Sequence, residues 1–335
     1  MKKRKNKVLL ISPSFFGYRK YISASMKENL YSVLTLNDVL PFYSYFNFIR
    51  KKKFFKNNLF SFMPNTFYKF YYYIFKPTHL FIILGRNVTE EVVLFYKSKN
   101  VKVTLYMWDS IANYPQSLKL SVLVDDFSSF DESDCKNYGA RFVPLFYVDT
   151  IFNNLNIERD LSLLFVGSVH SDRLKILSKL KVVFDKSNIA VFFYLFLKNR
   201  SLYLKSKFID KKYFYGFKYS DFTFKSMSLD EISAMYSTSS CVLDIQNSNQ
   251  SGYTIRTLEA LASGCKLITT NSSILSSNLY STERVLIIGR DVDFDIDRLV
   301  SFVSTKPIYN SDYESIIYDY SLKSWLKKLG FAGEL

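Results

Sequence analysis

The chain has little of what marks several common protein classes. Three cysteines in 335 residues, without paired spacing, are too few for a disulfide framework or a zinc site and favour a reducing compartment. There are two histidines and no GxSxG motif, which argues against a Ser–His–Asp hydrolase. The absence of a P-loop and of GxGxxG argues against a kinase or a dinucleotide-dependent dehydrogenase.

Long apolar runs are also missing. No uninterrupted apolar stretch approaches the ~20 residues that span a bilayer, and the longest, 189–197, is typical of a buried strand. The basic start, MKKRKNKVLLISPSFF, has too few apolar residues before Pro13 for a secretory signal. We therefore expect a cytoplasmic protein.

Aromatic and basic residues are abundant and unevenly distributed. The net charge is +15, and residues 1–76 hold fifteen Lys or Arg against two acids. Sixteen of the thirty-four residues in 42–75 are Phe or Tyr, interleaved with Arg50, Lys51, Lys52, Lys53, Lys56 and Lys69. The charge asymmetry favours an anionic partner, and the cytoplasmic face of the inner membrane is the one we expect. Most of the individual aromatics are expected to pack in helix cores, with the lysines on a solvated face. Base stacking on nucleic acid is the alternative, for which no binding module is recognised.

Apolar strand-like runs alternate with helical stretches along both halves of the chain, which predicts two α/β domains with mostly parallel sheets. The expected strands are 8–12, 31–36, 79–84, 101–107, 141–146, 161–166, 189–197, 241–245, 267–270 and 285–288. We place the domains at 1–157 and 158–335. An amphipathic last helix over 313–329 is expected to pack across their interface.

The most informative segment is 241–271, CVLDIQNSNQSGYTIRTLEALASGCKLITTN, which indicates strand, loop, helix and strand. A loop that ends at Gly252 and opens a helix at Thr254 offers backbone N–H groups and a positive helix end, an anion site suited to a diphosphate. Arg256 and Glu259, three residues apart, can project from one side of that helix. The alternative is an ordinary βαβ unit with a capping loop.

With Gln250, Gly252, Thr254, Arg256, Glu259 and the closing LITTN, this segment resembles the donor-binding element of GT-B glycosyltransferases, in particular bacterial enzymes of capsular polysaccharide and lipopolysaccharide synthesis. The resemblance implies a GT-B fold, with two Rossmann-like domains facing a cleft and the nucleotide-sugar held by the second. Glu259 matches the second of two glutamates that retaining families carry, the one that holds the ribose. The first falls on Ser251, which is a departure from the family pattern.

Other candidates follow strand ends. Gly167, His170 and Arg173 lie where the first strand of the second half meets its helix, a location that favours phosphate binding; a capped turn is the alternative. Lys225 is a second candidate cation for the diphosphate, or else a surface lysine. Tyr253 completes the donor-binding set. Asp109, in YMWDS, is a candidate acceptor base or a turn cap; YMWDS, SSFD and FVPLFY are also similar to the capsule and lipopolysaccharide enzymes.

The prediction is thus a metal-independent glycosyltransferase without a cofactor, acting on a growing surface glycan such as capsule, O-antigen or lipopolysaccharide. Its expected partners are a nucleotide-sugar donor, a glycan or lipid-linked glycan acceptor and the anionic inner leaflet, with no nucleic acid. The alternative is a non-catalytic carbohydrate- or membrane-binding protein on a degenerate GT-B fold.

Overall fold

The computed structural model describes residues 6–14, 17–40, 58–152, 159–169, 172–209, 214, 216–247, 250–291, 293–307 and 311–331. The chain divides into two compact units. The first comprises Met1–Pro144 and Trp325–Leu335, and the second comprises Leu145–Ser324. Each unit carries a six-stranded sheet, so the predicted α/β organisation is confirmed.

The first unit has a fully parallel sheet in the order β2-β1-β3-β4-β5-β6. Its strands are β1 (Lys7–Ser12), β2 (Ser32–Asn37), β3 (His79–Ile83), β4 (Lys102–Met107), β5 (Asp126–Ser129) and β6 (Arg141–Phe142). Its helices are α1 (Tyr18–Glu28), α2 (Asn58–Phe75), α3 (Glu90–Ser98), α4 (Leu118–Ser121) and α5 (Glu132–Tyr138). Thr89 caps α3, because its hydroxyl accepts from the Val92 N–H at 3.3 Å.

The second unit has a parallel sheet in the order β12-β11-β10-β7-β8-β9. Its strands are β7 (Leu161–Ser168), β8 (Val191–Phe196), β9 (Phe222–Thr223), β10 (Ser239–Asp244), β11 (Lys266–Thr269) and β12 (Val285–Ile287). Its helices are α6 (Arg173–Lys186), α7 (Arg200–Ile209), α8 (Leu229–Ser237), α9 (Ile255–Ala262), α10 (Ile296–Ser304) and α11 (Ser311–Tyr318), and α12 (Leu322–Lys328) begins here and ends in the first unit.

Two expected elements differ in the structure. The predicted single helix over 313–329 is wrong, since α11 and α12 are separate. The backbone between them pairs with Tyr147, whose N–H donates to Tyr320 O (3.0 Å) and whose carbonyl accepts from the Leu322 N–H (2.9 Å). The predicted strand 141–146 is shortened to β6, because Pro144 has no N–H to pair.

The aromatic-basic region is described only in part. Residues 41–57, including Arg50, Lys51, Lys52, Lys53 and Lys56, lie outside the described residues. Within α2, Tyr68 is buried and its hydroxyl donates to Asn37 O at 2.9 Å, whereas Phe70 and Tyr73 are exposed. Some of these aromatics therefore belong to the core and others face solvent. No helix in the described part of the chain is long and apolar enough to cross a membrane.

Candidate functional site

The order of the second sheet creates a switch point between β7 and β10. These strands are parallel neighbours, but the chain proceeds from β7 outward to β8 and β9, and from β10 outward to β11 and β12. Ligands of open α/β sheets bind at such a point, beyond the carboxyl ends of the strands. Helix α6 follows β7 and α9 follows β10, so both helices begin on this side of the sheet.

The start of α9 is fastened to the end of β10. Asp244, the last residue of β10, is buried, and its Oδ2 accepts from the hydroxyls of Thr254 (2.7 Å) and Thr257 (2.6 Å). Thr254 is also the N-cap of α9, since its Oγ1 accepts from the Thr257 N–H at 3.2 Å. The predicted helix opening at Thr254 is confirmed, and Asp244 is a site residue that the sequence reading missed.

Arg173, the first residue of α6, ties the ends of β7 and β10 together. Its Nε donates to Ile245 O at 2.8 Å and its Nη1 to Ser168 O at 3.0 Å. Burial, and next the charge of Arg256, lower the pKa of Arg173 to about 10, with the carboxylate of Asp244 opposing them. The guanidinium of Arg173 is therefore buried and is close enough to Arg256 and Arg290 to be affected by their positive charges.

A third arginine enters the cluster from β12. Arg290 Nη1 donates to both carboxylate oxygens of Asp172, at 2.9 and 2.8 Å, and Nη2 donates to Gln246 O at 2.7 Å and Thr270 Oγ1 at 3.2 Å. The sequence reading missed Arg290, although its position directly after a strand of the same sheet was a usable signal. Three arginines and two carboxylates, those of Asp172 and Asp244, thus influence one another at the switch point.

The loop between β10 and α9 rests on the chain that follows β11. Asn271 Nδ2 donates to the carbonyls of Ser251 (3.3 Å) and Gly252 (3.1 Å), and Ser273 Oγ donates to Ser251 O at 2.7 Å. Gly252 is buried, while Gln250 and Tyr253 are partly exposed. These bonds hold residues 251–252 of the loop just before the N-terminus of α9.

Arg256 and Glu259 differ in their access to solvent. Both lie on α9, but Arg256 is partly exposed and Glu259 is only 1% exposed. The charge of Glu259 acts on the buried phenol of Tyr236, whose pKa is raised first by burial and then by this carboxylate. A ribose could meet Glu259 only if the residues that bury it moved, and the ribose role stays a prediction.

Of the remaining predicted donor residues, the structure describes Gly167 and Lys225. Gly167 lies within β7, where an added Cβ would come within 2.6 Å of the Phe165 ring, so packing alone accounts for the glycine. His170 lies outside the described residues. Lys225 follows β9, three strands from β10 or about 14 Å at the usual spacing. It is exposed and lies 3.7 Å from Glu231.

In the first unit, Asp109 follows β4 and makes local contacts. Its Oδ1 accepts from the Ser110 N–H at 2.8 Å and from Asn113 Nδ2 at 2.9 Å. These contacts are those of a turn cap, and the role of acceptor base stays a prediction. The same edge of the first sheet holds an ion pair between Arg86 and Asp38, which the sequence did not predict. The guanidinium of Arg86 donates to both oxygens of the fully buried Asp38 carboxylate, each at 2.7 Å.

The described residues also bear on the requirements of a metal site. In the described ranges, no three His, Cys, Asp or Glu side chains are grouped so that they could hold a metal ion.

A cavity of about 410 Å³ lies at the β8–β9 edge, and half of its lining residues are aromatic, among them Phe192 and Phe222. We place the functional site at the switch point instead, because the charged groups suited to a phosphate are there.

Solved structures match this fold, whereas no protein-family model and no curated protein sequence matches the chain. A glycosyltransferase from Rickettsia africae superposes with a TM-score of 0.64 at 12% identity, covering 97% of both chains. The apo lipopolysaccharide outer core galactosyltransferase WaaB gives 0.57 at 13%, covering 97% of this chain and 98% of that one. The UDP-GlcNAc 2-epimerase from Neisseria meningitidis, bound to UDP-GlcNAc, gives 0.56 at 11% with the same coverage. The sequence-based prediction is confirmed at the level of the fold: this chain has the GT-B architecture of two Rossmann-like domains, seen in glycosyltransferases and nucleotide-sugar epimerases alike.

Proposed function

We propose that the protein is a glycosyltransferase that moves a sugar from a nucleotide-sugar donor to a growing surface glycan, such as capsule, O-antigen or lipopolysaccharide. The observation that carries this proposal is the cationic cluster at the β7–β10 switch point. There Arg256 and Arg290 both act on the guanidinium of the buried Arg173, whose pKa is lowered although the carboxylates of Asp244 and Asp172 oppose the shift. The diphosphate of a nucleotide-sugar is an anion that would relieve this repulsion between guanidinium groups.

The positions of two of these arginines also favour an anion. Arg173 is the first residue of α6 and Arg256 is the second residue of α9. A cation in the first turn of a helix is opposed by the helix dipole, whereas an anion there is stabilised. A diphosphate at this point would be stabilised by both helix N-termini and by the guanidinium groups.

The same arrangement would assist the reaction. When the bond between sugar and diphosphate breaks, negative charge develops on the departing phosphate oxygen. Donors that are already fixed stabilise such charge without reorganisation, and Arg173 and Arg290 are fixed by their hydrogen bonds to backbone and to Asp172. Stabilisation of the leaving phosphate by arginines needs no metal ion, so we expect transfer to survive EDTA. Loss of transfer in EDTA, with rescue by manganese, would contradict this.

The nucleotide-sugar donor is supported by the fold neighbours, among them an epimerase bound to UDP-GlcNAc and a structure with UDP. We assign the donor to the second unit, with Gln250, Gly252, Tyr253 and Thr254 beside the cluster and Glu259 toward the ribose. The glycan or lipid-linked acceptor is assigned to the first unit, where Asp109 would accept the proton of the attacking hydroxyl. The basic region within 42–76 would dock to the anionic cytoplasmic face of the inner membrane.

The second candidate is a non-catalytic carbohydrate- or membrane-binding protein with a degenerate GT-B fold. It is favoured by Ser251, which stands where retaining families carry their first glutamate. In this structure the carbonyl of Ser251 anchors the loop through Asn271 and Ser273. Its hydroxyl cannot replace a carboxylate toward a donor sugar.

The deciding experiment incubates the full chain with radiolabelled nucleotide-sugars. Transfer to a glycan or slow hydrolysis of the donor supports the proposal, and both should be lost in Arg173→Ala. Conversion of UDP-GlcNAc to its C2 epimer would show an epimerase instead. Binding without turnover across the panel would favour the non-catalytic alternative.

A further inference from the structure

Helix α7 presents large apolar side chains to solvent. Leu204 is 67% exposed, Phe208 is 88% exposed and Ile209 is 65% exposed. Among the ten residues of this helix only Tyr203 is buried, where its ring packs on Phe222 at 5.1 Å between centroids. A surface helix of a globular domain normally turns its apolar residues toward the core. In α7, by contrast, Leu204, Phe208 and Ile209 face solvent, and only Tyr203 faces the core.

The exposed residues form an ordered pattern around the helix. Leu204 and Phe208 are four residues apart and therefore lie along one ridge. At about 100° per residue, this ridge lies about 120° from Tyr203, with Lys205 about 80° to one side and Lys207 about 80° to the other. The apolar ridge thus lies between Lys205, which is nearest to the side opposite Tyr203, and Lys207, which is about 40° from Tyr203 with its ammonium over that ring.

The charge of this segment has one sign. Residues 198–209 contain Lys198, Arg200, Lys205 and Lys207 and no acid. In the described part of the chain none of these four is in an ion pair. The ammonium of Lys207 lies 5.8 Å from the Tyr203 ring centroid, with its stem along the helix. The four cations can therefore serve an external anion.

We propose that α7 lies in the interface of an anionic bilayer, with Leu204 and Phe208 among the acyl chains. Lys205 and Lys207 would extend along the helix to the headgroup phosphates. This surface belongs to the second unit and rests neither on the basic region of the first unit nor on the proposed transfer activity. It gives the second unit a membrane contact of its own.

The cations select this occupant over a second copy of the chain. A two-fold contact through the ridge would place the same lysines of both copies side by side, where like charges repel. A bilayer with anionic lipid offers acyl chains to the ridge and phosphates to both flanks at once.

The test places a fluorescent residue on the ridge of the full chain. Phe208→Trp is mixed with vesicles of phosphatidylcholine containing phosphatidylglycerol, and the wild-type signal of the two native tryptophans is subtracted. The matched control is Ile296→Trp, at a site that is 51% exposed but flanked by Asp295 and Asp297. We expect a blue shift and quenching by brominated acyl chains for Phe208→Trp only.

Two double variants measure how much the apolar ridge and the two lysines each contribute to vesicle binding. Leu204→Ser with Phe208→Ser should weaken vesicle partitioning about a hundredfold, as expected when two large side chains no longer leave water. Lys205→Gln with Lys207→Gln should weaken it about tenfold or more at low salt. The proposal is overturned if the Phe208→Trp protein sediments with vesicles while the emission of its introduced tryptophan stays unchanged, or if the protein does not bind vesicles. Equal binding to pure phosphatidylcholine, or a lipid-free shift that grows with protein concentration, overturns it as well.

Discussion

Replacing Arg290 by lysine tests whether the cluster at the switch point works as an anion site. The guanidinium holds Asp172 through Nη1 and, through Nη2, the carbonyl of Gln246 and the hydroxyl of Thr270. Lysine keeps the positive charge, but one ammonium cannot span the acceptors that a planar fork reaches. The substitution therefore separates the geometry of the site from its charge.

The expected magnitude follows from the bonds that are lost. A hydrogen bond to a charged group contributes about 1.5–3 kcal/mol when it is buried. The side chains of Arg290 and Asp172 are 24% and 31% exposed, so we allow about 1 kcal/mol for each of the two Nη2 bonds. If their loss disorders the loops that we propose to bind the donor, the affinity for UDP falls up to about thirtyfold. Arg290→Gln also removes the positive charge and should lower the affinity for UDP by about a further tenfold.

The assay is isothermal titration of the full chain with UDP, with GDP and dTDP as further ligands. Lys181→Gln is the control, because it breaks an exposed ion pair with Asp185 of the same unit and should leave binding unchanged. Circular dichroism checks that each variant is folded. Wild-type affinity in both Arg290 variants would refute the reasoning, as would a wild-type protein that binds no nucleoside diphosphate.

Three further predictions test two buried groups, Glu259 and Lys266, and the half-buried His79. Glu259→Gln should lower UDP affinity about ten- to hundredfold with an unchanged melting temperature, as for a lost charged hydrogen bond; a lower melting temperature with full affinity would make the carboxylate structural. Burial lowers the pKa of His79 in the folded protein. The unfolded chain therefore binds a proton at this imidazole more tightly than the folded chain does. As the pH falls below about 6.5, the first unit should lose stability. His79→Gln should flatten that slope in urea unfolding followed by tryptophan fluorescence, since both tryptophans belong to the first unit. Lys266 is 1% exposed, and its ammonium donates to carbonyls at the end of α10, so Lys266→Met should lower the stability of the second unit by about 1–3 kcal/mol; an unchanged urea midpoint by circular dichroism would contradict this capping role.

Elements whose signals are local could be predicted well. Continuous apolar runs bounded by polar loops identify the central strands, and Thr89 and Thr254 mark helix starts because a threonine hydroxyl satisfies free N–H groups wherever the helix is placed. Helix α7 was not predicted, because its outward face is apolar and its pattern does not resemble a helix packed on a core. Asp295 is a further local signal of a helix start, since it caps α10 by accepting from the Arg298 N–H at 3.0 Å.

The sequence by itself determined the α/β alternation, the restart of the pattern in the second half and the helix that begins after its N-cap Thr254. Each depends on neighbours within a few residues. Only the tertiary structure decided which cations share the site. Strand order brings Arg290 beside Asp172, 118 positions away, and leaves Lys225 at the far edge of the same sheet. Burial of Glu259 was likewise decided by packing, because helical spacing gives the side of a helix on which a residue lies but not what covers that side.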